Sequence, residues 1–175
     1  MENNLETAVF GGGCFWGIEA VFSHVKGVQS VVSGYAGGTK ENPSYEEVSR
    51  GRTGHAETVQ VIFDSGLIKY EELVRIFLTI HDPTTLNRQG VDVGSQYRSI
   101  ILYTDEKQKE AAEKAIKEFS ENKFYNKPIV TEIKPLKDFY PAEEYHQKYF
   151  EKHPAPGSCY AKLEKLKEKF SEYYK

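Results

Sequence analysis

Cysteine is scarce in this sequence. Only Cys14 and Cys159 occur among 175 residues, whereas a small secreted scaffold held by disulfides carries many cysteines in a shorter chain. The scarcity argues against such a scaffold. In a reducing compartment, two distant cysteines are either inert core residues or reactive thiols, and composition alone leaves both readings open.

Other features that mark particular classes of protein are also missing. The formal net charge is −3 with both signs interspersed, so no basic stripe indicates nucleic-acid binding, and no run approaches the ~20 apolar residues of a membrane span. The first ten residues, MENNLETAVF, lack a basic start and an apolar run, so we expect no targeting segment and a cytoplasmic protein. Five scattered histidines and two distant cysteines do not have the spacing of a structural zinc site.

Hydrophobic periodicity predicts a single domain, residues 1–175, in which strands and helices alternate. The mixture indicates a two-layer α+β fold, with the strand directions left open. The segment Thr84–Tyr97 has no apolar period, and long loops inside compact domains tend to be functional. The predicted strands are Thr7–Phe10, Val28–Tyr35, Glu57–Phe63, Ser99–Tyr103 and Ile129–Ile133, and the predicted helices are Phe15–Ser23, Tyr45–Arg50, Tyr70–Ile80, Asp105–Asn122, Ala142–Lys152 and a last one marked by Leu163, Leu166, Phe170 and Tyr173.

Cys14 follows a glycine turn and opens a predicted helix, in the sequence GGGCFWG at residues 11–17. Unpaired N–H groups and the helix dipole at such a position favour a thiolate over a thiol. We therefore expect an activated nucleophile, although a buried structural cysteine beside a tight turn has the same local sequence. Phe15 and Trp16 would offer a flat apolar surface suited to a thioether methyl, or they are ordinary core residues.

Four further residues have side chains suited to acid–base chemistry. Glu57 opens the clearest strand, and a partly desolvated carboxylic acid can stay protonated near neutral pH and donate that proton. The phenols of Tyr45 and Tyr97, like the carboxylate of Asp92, fall in turns or loops, and a phenol can stabilise an oxygen that gains charge. For each of them alone, a solvated or half-buried surface residue is the commoner situation.

The segment GGCFWG at residues 12–17 resembles the signature of A-class peptide methionine sulfoxide reductases. The resemblance runs from about residue 7 to the end of the chain. It implies a two-layer α/β sandwich with a ferredoxin-like core, a mixed sheet, additional helices and a mobile C-terminal segment. Further segments agree in order: GYAGG at 34–38, NPSYEEV at 42–48, GHAE at 54–57, HDPT at 81–84, LNRQG at 86–90, DVGSQYRS at 92–99 and EYHQ at 144–147.

The resemblance also implies an activity, the reduction of methionine S-sulfoxide in oxidised proteins without a metal or an organic cofactor. Cys14 would attack the sulfoxide sulfur and become a sulfenic acid, and Glu57 would protonate the sulfoxide oxygen. Tyr45 and Tyr97 would hydrogen-bond that oxygen, with Asp92 ordering the site. Phe15 and Trp16 would hold the S-methyl group. Cys159 would resolve the sulfenic acid as a disulfide that thioredoxin or a similar dithiol reductant recycles.

The chain departs from the family pattern in two places. Ser49 stands where many relatives have a third cysteine, and the segment between Cys159 and the last predicted helix is shorter than in many of them. His55 and His146 fall in matching segments but receive no chemical role from the sequence. We expect a monomer, because no predicted helix has an exposed apolar stripe that a second subunit would cover.

Two other functions fit the same residues. A cysteine hydrolase could combine Cys14 with His55 or His146 and with Asp92, because such triads form in space rather than in sequence order. It would need no second cysteine. A non-catalytic module that binds sulfoxides or thiols is the other alternative, and it would release no methionine.

Overall fold

The computed structural model describes residues 4–175, so Met1–Asn3, part of the segment examined for a targeting signal, lie outside the described residues. The strands are β1 Leu5–Gly11, β2 Val28–Ala36, β3 Ala56–Asp64, β4 Arg88–Gln89, β5 Asp92–Val93, β6 Ile100–Tyr103, β7 Glu132–Pro135 and β8 Phe139–Pro141. The α-helices are α1 Phe15–Ser23, α2 Tyr45–Ser49, α3 Tyr70–Ile80, α4 Glu106–Glu121, α5 Tyr149–Lys152 and α6 Gly157–Lys169, and short 3-10 helices span Ser95–Tyr97, Glu144–His146 and Ser171–Tyr173.

Six strands form one mixed sheet in the order β7-β6-β1-β3-β2-β8. The β6–β7 pair is parallel, and the other pairs are antiparallel. The alternation in β3 follows the sequence prediction, since Val59, Val61 and Phe63 are buried while Gln60 and Ile62 are less so. The predicted α+β class is confirmed.

An aromatic stack joins the sheet to two helices. The ring of Phe10 on β1 lies 5.4 Å from that of Phe22 on α1 and 5.0 Å from that of Phe77 on α3. All three side chains are fully buried, and each such burial stabilises the fold by about 1.5–3 kcal/mol. The stack fixes α1 against β1, and so it fixes the turn between them.

The C-terminal third differs from the sequence prediction. The predicted helix Ala142–Lys152 is a 3-10 turn followed by the short helix α5. Lys148 takes a left-handed conformation at φ 52°, and its N–H donates to both carboxylate oxygens of Glu19, at 2.9 and 3.1 Å. The side chain of Gln147 pairs with the backbone N–H and C=O of Ser33 at 2.9 Å each. These long-range contacts outweigh local helix propensity.

Two other predictions need correction. The predicted long loop Thr84–Tyr97 contains the β4–β5 hairpin and a 3-10 helix. The last helix begins at Gly157, after Pro156, so that Cys159 lies in its first turn and not in a segment before it. Within residues 4–175, no helix is long and apolar enough to cross a membrane.

Candidate active site

A cavity of about 550 Å³ opens beside the start of α1. Its wall is built by the ends of elements that are far apart in sequence: the turn before α1, the first residues of α2 and β3, the β4–β5 hairpin, and the first turn of α6. The structure brings together all eight residues singled out in the sequence, since the lining includes Cys14, Phe15, Trp16, Tyr45, Glu57, Asp92, Tyr97 and Cys159.

The glycines before Cys14 let β1 turn sharply into α1. Gly13 has φ +86°, which L side chains rarely adopt, and a Cβ there would lie 2.8 Å from the side chain of Gln89. A Cβ on Gly12 would lie 2.6 Å from the ring of His81. The N–H of Gly13 donates to the carbonyl of Tyr97 at 3.1 Å. Cys14 is thereby held as the N-cap residue of α1, with extended backbone angles.

The thiol of Cys14 is not activated in the way that the sequence suggested. Burial, followed by the charge of Glu57, raises the pKa of Cys14 to about 12. The first N–H of the helix, on Phe15, donates to Glu57 Oε1 at 3.1 Å and is not available to the sulfur. The N–H of Trp16 does lower the pKa of Cys14, but burial outweighs it. Burial and the charge of Glu57 therefore oppose the thiolate that the helix N-terminus was expected to favour.

Glu57 is the buried acid of the site, with 2% of its surface exposed. Burial raises its pKa to about 8, the hydrogen bond from the Phe15 N–H opposes this, and the charge of Asp92 adds to it. The carboxyl group is therefore largely protonated at neutral pH. It can donate a proton to an atom that enters the cavity.

Two phenols complete the polar part of the wall. Burial, and then the charge of Glu57, raises the pKa of both Tyr45 and Tyr97, so both hydroxyls keep their protons. Glu143 positions Tyr45, because its carboxylate accepts the Tyr45 N–H at 3.0 Å and the Tyr35 hydroxyl at 2.9 Å. Glu143 was not singled out in the sequence, since it acts across 98 residues of chain.

The apolar part of the wall consists of aromatic rings. The indole of Trp16 stacks on Tyr149 with centroids 3.7 Å apart, and its Nε1–H donates to His146 Nδ1 at 3.1 Å. Phe15 lies against His146 at 5.2 Å. The sequence left His146 without a role, and the structure gives it one: it fixes the orientation of Trp16.

The two candidate histidines of a hydrolase are otherwise engaged. The Nδ1 of His55 accepts the Gly38 N–H at 3.0 Å, which leaves Nε2–H to donate to the Lys40 carbonyl at 2.7 Å. Neither His55 nor His146 lines the cavity. Among residues 4–175, no hydrogen bond joins Cys14 to a histidine. The Cys–His–Asp triad is therefore not assembled.

Cys159 lines the same cavity as Cys14, and both are free thiols. Cys159 is 2% exposed. Burial raises the pKa of Cys159, and the charge of Lys162 lowers it. Lys162, which sequence reasoning missed, also lines the cavity.

Comparison with known proteins identifies the family. The sequence model of the family described as "Peptide methionine sulfoxide reductase" matches residues 6–175. The chain is 55% identical to the peptide methionine sulfoxide reductase MsrA of Natronomonas pharaonis over 170 residues, which are 95% of this chain and 96% of the relative. Mxr1 from Saccharomyces cerevisiae in its reduced form has 34% identity and a TM-score of 0.81, covering 89% of this chain and 90% of that one.

A second structure of the same yeast protein, in complex with Trx2, has 26% identity and a TM-score of 0.58, over 85% of this chain and 87% of that one. The agreement with the reduced form is thus the higher of the two. The match with the family model covers almost the whole chain, and the identity to the archaeal relative is high over nearly its full length. The chain belongs to the A class of the peptide methionine sulfoxide reductase family.

Proposed function

We propose that the chain reduces the S epimer of methionine sulfoxide to methionine, in oxidised proteins and also as the free amino acid. Membership of the family makes it an oxidoreductase, a peptide-methionine (S)-S-oxide reductase. The observation that carries the proposal is one cavity in which a thiol, Cys14, and a largely protonated acid, Glu57, face an aromatic wall. Those are the groups that sulfoxide reduction requires.

In the first step, the sulfoxide methyl group packs against Phe15 and Trp16, since a methyl group beside sulfur packs well on aromatic rings. Glu57 gives its proton to the sulfoxide oxygen, which would otherwise leave as oxide. The sulfur of Cys14 attacks the sulfoxide sulfur. The proton of the Cys14 thiol passes to the Glu57 carboxylate, which returns to its acid form. The oxygen passes with one hydrogen to Cys14, so that a thiol and a sulfoxide become a sulfenic acid and a sulfide.

The pKa values of the two groups suit this transfer. A thiol whose pKa is raised to about 12 and an acid whose pKa is raised to about 8 both hold their protons at neutral pH. Substrate binding therefore brings an uncharged pair to an uncharged, polar S=O bond. The hydroxyls of Tyr45 and Tyr97 stabilise the charge that gathers on the oxygen, and Asp92 helps to order the site.

In the second step, Cys159 attacks the Cys14 sulfenic acid, and a disulfide and water are formed. The position of both sulfurs in one cavity supports this pairing. Thiol–disulfide exchange with thioredoxin then restores both thiols, and the complex of a related yeast protein with Trx2 supports this partner.

Three structural expectations belong to the same proposal. The strand order β6-β1-β3-β2, antiparallel throughout, supports a ferredoxin-like core in a two-layer sandwich. The proposal also takes residues 1–175 as one catalytic domain and the C-terminal segment as mobile during turnover. The cytoplasmic location stays a prediction.

A thiol count across one turnover tests this function. One equivalent of a methyl sulfoxide is added without reductant, and free thiols and released sulfide are measured. Release of sulfide with the loss of two thiols per chain is the expected result. Loss of one thiol would remove Cys159 from the reaction. If no sulfide is released and no thiol is lost, the proposed activity is contradicted. Binding of the sulfoxide without turnover would then indicate a binding module.

A further inference from the structure

Helix α6 places a lysine among its inward-facing residues. Cys159 and Leu166 are buried and Lys162 and Leu163 are half-buried, whereas the other lysines of the helix are exposed. The spacing is that of one apolar stripe along a helix, and Lys162 is the charged member of that stripe. A cation at such a position loses hydration, and burial lowers the pKa of Lys162 accordingly.

Lys162 shares the cavity with the two reacting cysteines. It lines the cavity with Cys14 and Cys159, and it is the one Lys or Arg among the described residues that line it. Its Nζ would be in ordinary van der Waals contact, at 3.6 Å, with a Cβ on Gly17, so the ammonium group lies beside the first turn of α1. Throughout residues 4–175, no hydrogen bond or ion pair with this ammonium is found.

An unpaired cation in a partly desolvated position needs an anion to compensate it. Thiolates at Cys14 and Cys159 would each stabilise the charge on Lys162. The effect of Cys14 is the larger of the two, but Cys159 is the partner on the same helix, because residues three apart on a helix are neighbours on its surface. Lys162 would also stay beside Cys159 if α6 moved as a unit, whereas its distance to Cys14 would change.

We propose that the ammonium group of Lys162 is the counter-ion of the Cys159 thiolate and accelerates its attack on oxidised Cys14. The inference rests on the proposed function for that second step. The Cys159 thiolate supplies the electron pair of the new S–S bond, and the S–O bond of the Cys14 sulfenic acid breaks. The oxygen leaves as hydroxide and is protonated to water. The oxidation state of the Cys159 sulfur rises by one, and that of the Cys14 sulfur falls by one. The oxidising equivalents come from the sulfoxide consumed in the first step.

Other charged groups also face Cys159. Glu57 and Asp92 line the first cavity, and a second cavity of about 210 Å³ on the other side of Cys159 is lined by Glu19, His24, Lys148 and Glu151. Lys162 is the group whose charge lowers the pKa of Cys159 against the effect of burial. When Lys162 is removed, the rise in the pKa of Cys159 caused by burial is therefore no longer opposed by this charge.

The test uses the Cys14→Ser variant, in which Cys159 is the sole thiol of the chain. Its rate of alkylation by iodoacetamide is measured against pH, alone and combined with Lys162→Met or Lys162→Arg. We expect Lys162→Met to raise the pH midpoint of the alkylation profile by about one unit. This corresponds to roughly a tenfold loss of Cys159 thiolate at neutral pH. Lys162→Arg should keep the parent midpoint. Lys167→Met, which removes an exposed charge from the same helix, is the control and should change nothing.

In the protein with both cysteines, Lys162→Met should slow disulfide formation about tenfold after addition of one equivalent of sulfoxide, and Lys162→Arg should restore the rate. Overlapping alkylation profiles for Lys162→Met and its parent would overturn the proposal. So would a variant whose only defect is a raised KM, since that would make Lys162 a substrate-binding residue. The alkylation experiment involves no sulfoxide, so failure of the proposed function, seen as no sulfide from the parent enzyme, is recognised separately.

Discussion

Glu57 and Phe15 are joined by a hydrogen bond of 3.1 Å from the Phe15 N–H to the Glu57 carboxylate, across 42 residues of sequence. The bond ties the start of β3 to the first turn of α1. It places the acid beside the residue that follows Cys14. One contact thus sets both the position of the acid and the electrostatic environment of the thiol.

Replacement of Glu57 by Gln should slow the chemical step far more than it weakens substrate binding. Glutamine can still accept the Phe15 N–H but has no acidic proton, and loss of a general acid commonly costs about 10²–10⁴-fold in rate. The measurement is single-turnover release of sulfide at saturating sulfoxide. Glu110→Gln, at an exposed position on α4, is the control. An unchanged single-turnover rate in Glu57→Gln would assign the proton to another group.

The same substitution should change how stability depends on pH. A carboxyl group whose pKa rises from 4.5 to about 8 on folding binds its proton more tightly in the folded protein. Its contribution is fully present below the unfolded pKa and is lost as pH rises through about 8. Urea titrations at about pH 5 and about pH 8 should therefore show a smaller loss of unfolding free energy in Glu57→Gln than in the parent. Equal losses would mean that Glu57 titrates normally.

Replacement of His146 by Phe should loosen the aromatic wall. It removes the acceptor of the Trp16 Nε1–H, and a buried donor left without a partner costs about 1–3 kcal/mol. We expect KM for sulfoxide to rise more than kcat falls. Trp16 is the sole tryptophan of the chain, so its fluorescence reports the change directly. An unaltered emission spectrum with unaltered KM would show that the ring is held by stacking on Tyr149 alone.

Replacement of Phe10 by Ala should destabilise the whole fold. Its ring is fully buried and stacks on Phe22 and Phe77, and truncation of a buried Phe typically costs about 3–5 kcal/mol. Chemical denaturation measures the loss. Phe124, which is 43% exposed, provides the comparison, and Phe124→Ala should cost less than about 1 kcal/mol. A loss in Phe10→Ala no larger than in Phe124→Ala would mean that the stack does not stabilise the core.

Most of the elements up to α4 could be predicted from the sequence, because local patterns determine them. Val59, Val61 and Phe63 alternate along β3, and α3 has apolar residues at helical spacing, so the predicted ends lie within one residue of those observed. The segment after α4 has weaker patterns. There, Gln147 bonds to Ser33 and Lys148 to Glu19, across 114 and 129 residues. No local pattern reveals contacts of that range.

The site was predicted in the same uneven way. The residues that line the cavity could be named because their motifs resemble a family, but the direction of the Cys14 pKa could not. The sequence shows a helix N-terminus beside the thiol. It does not show that a distant carboxylate, Glu57, accepts the first N–H. Lys162 was missed because a lysine on a lysine-rich helix has nothing in the sequence to distinguish it.

The two edge strands of the sheet have a consequence for the behaviour of the protein in concentrated solution. Strand β7 has four residues and β8 has three, and they end in Pro135 and Pro141. Proline has no N–H to offer to an incoming strand, and short edge strands leave few free backbone groups to template one. Both borders of the sheet are thereby closed to strand addition by another molecule. A chain built this way should resist edge-to-edge aggregation.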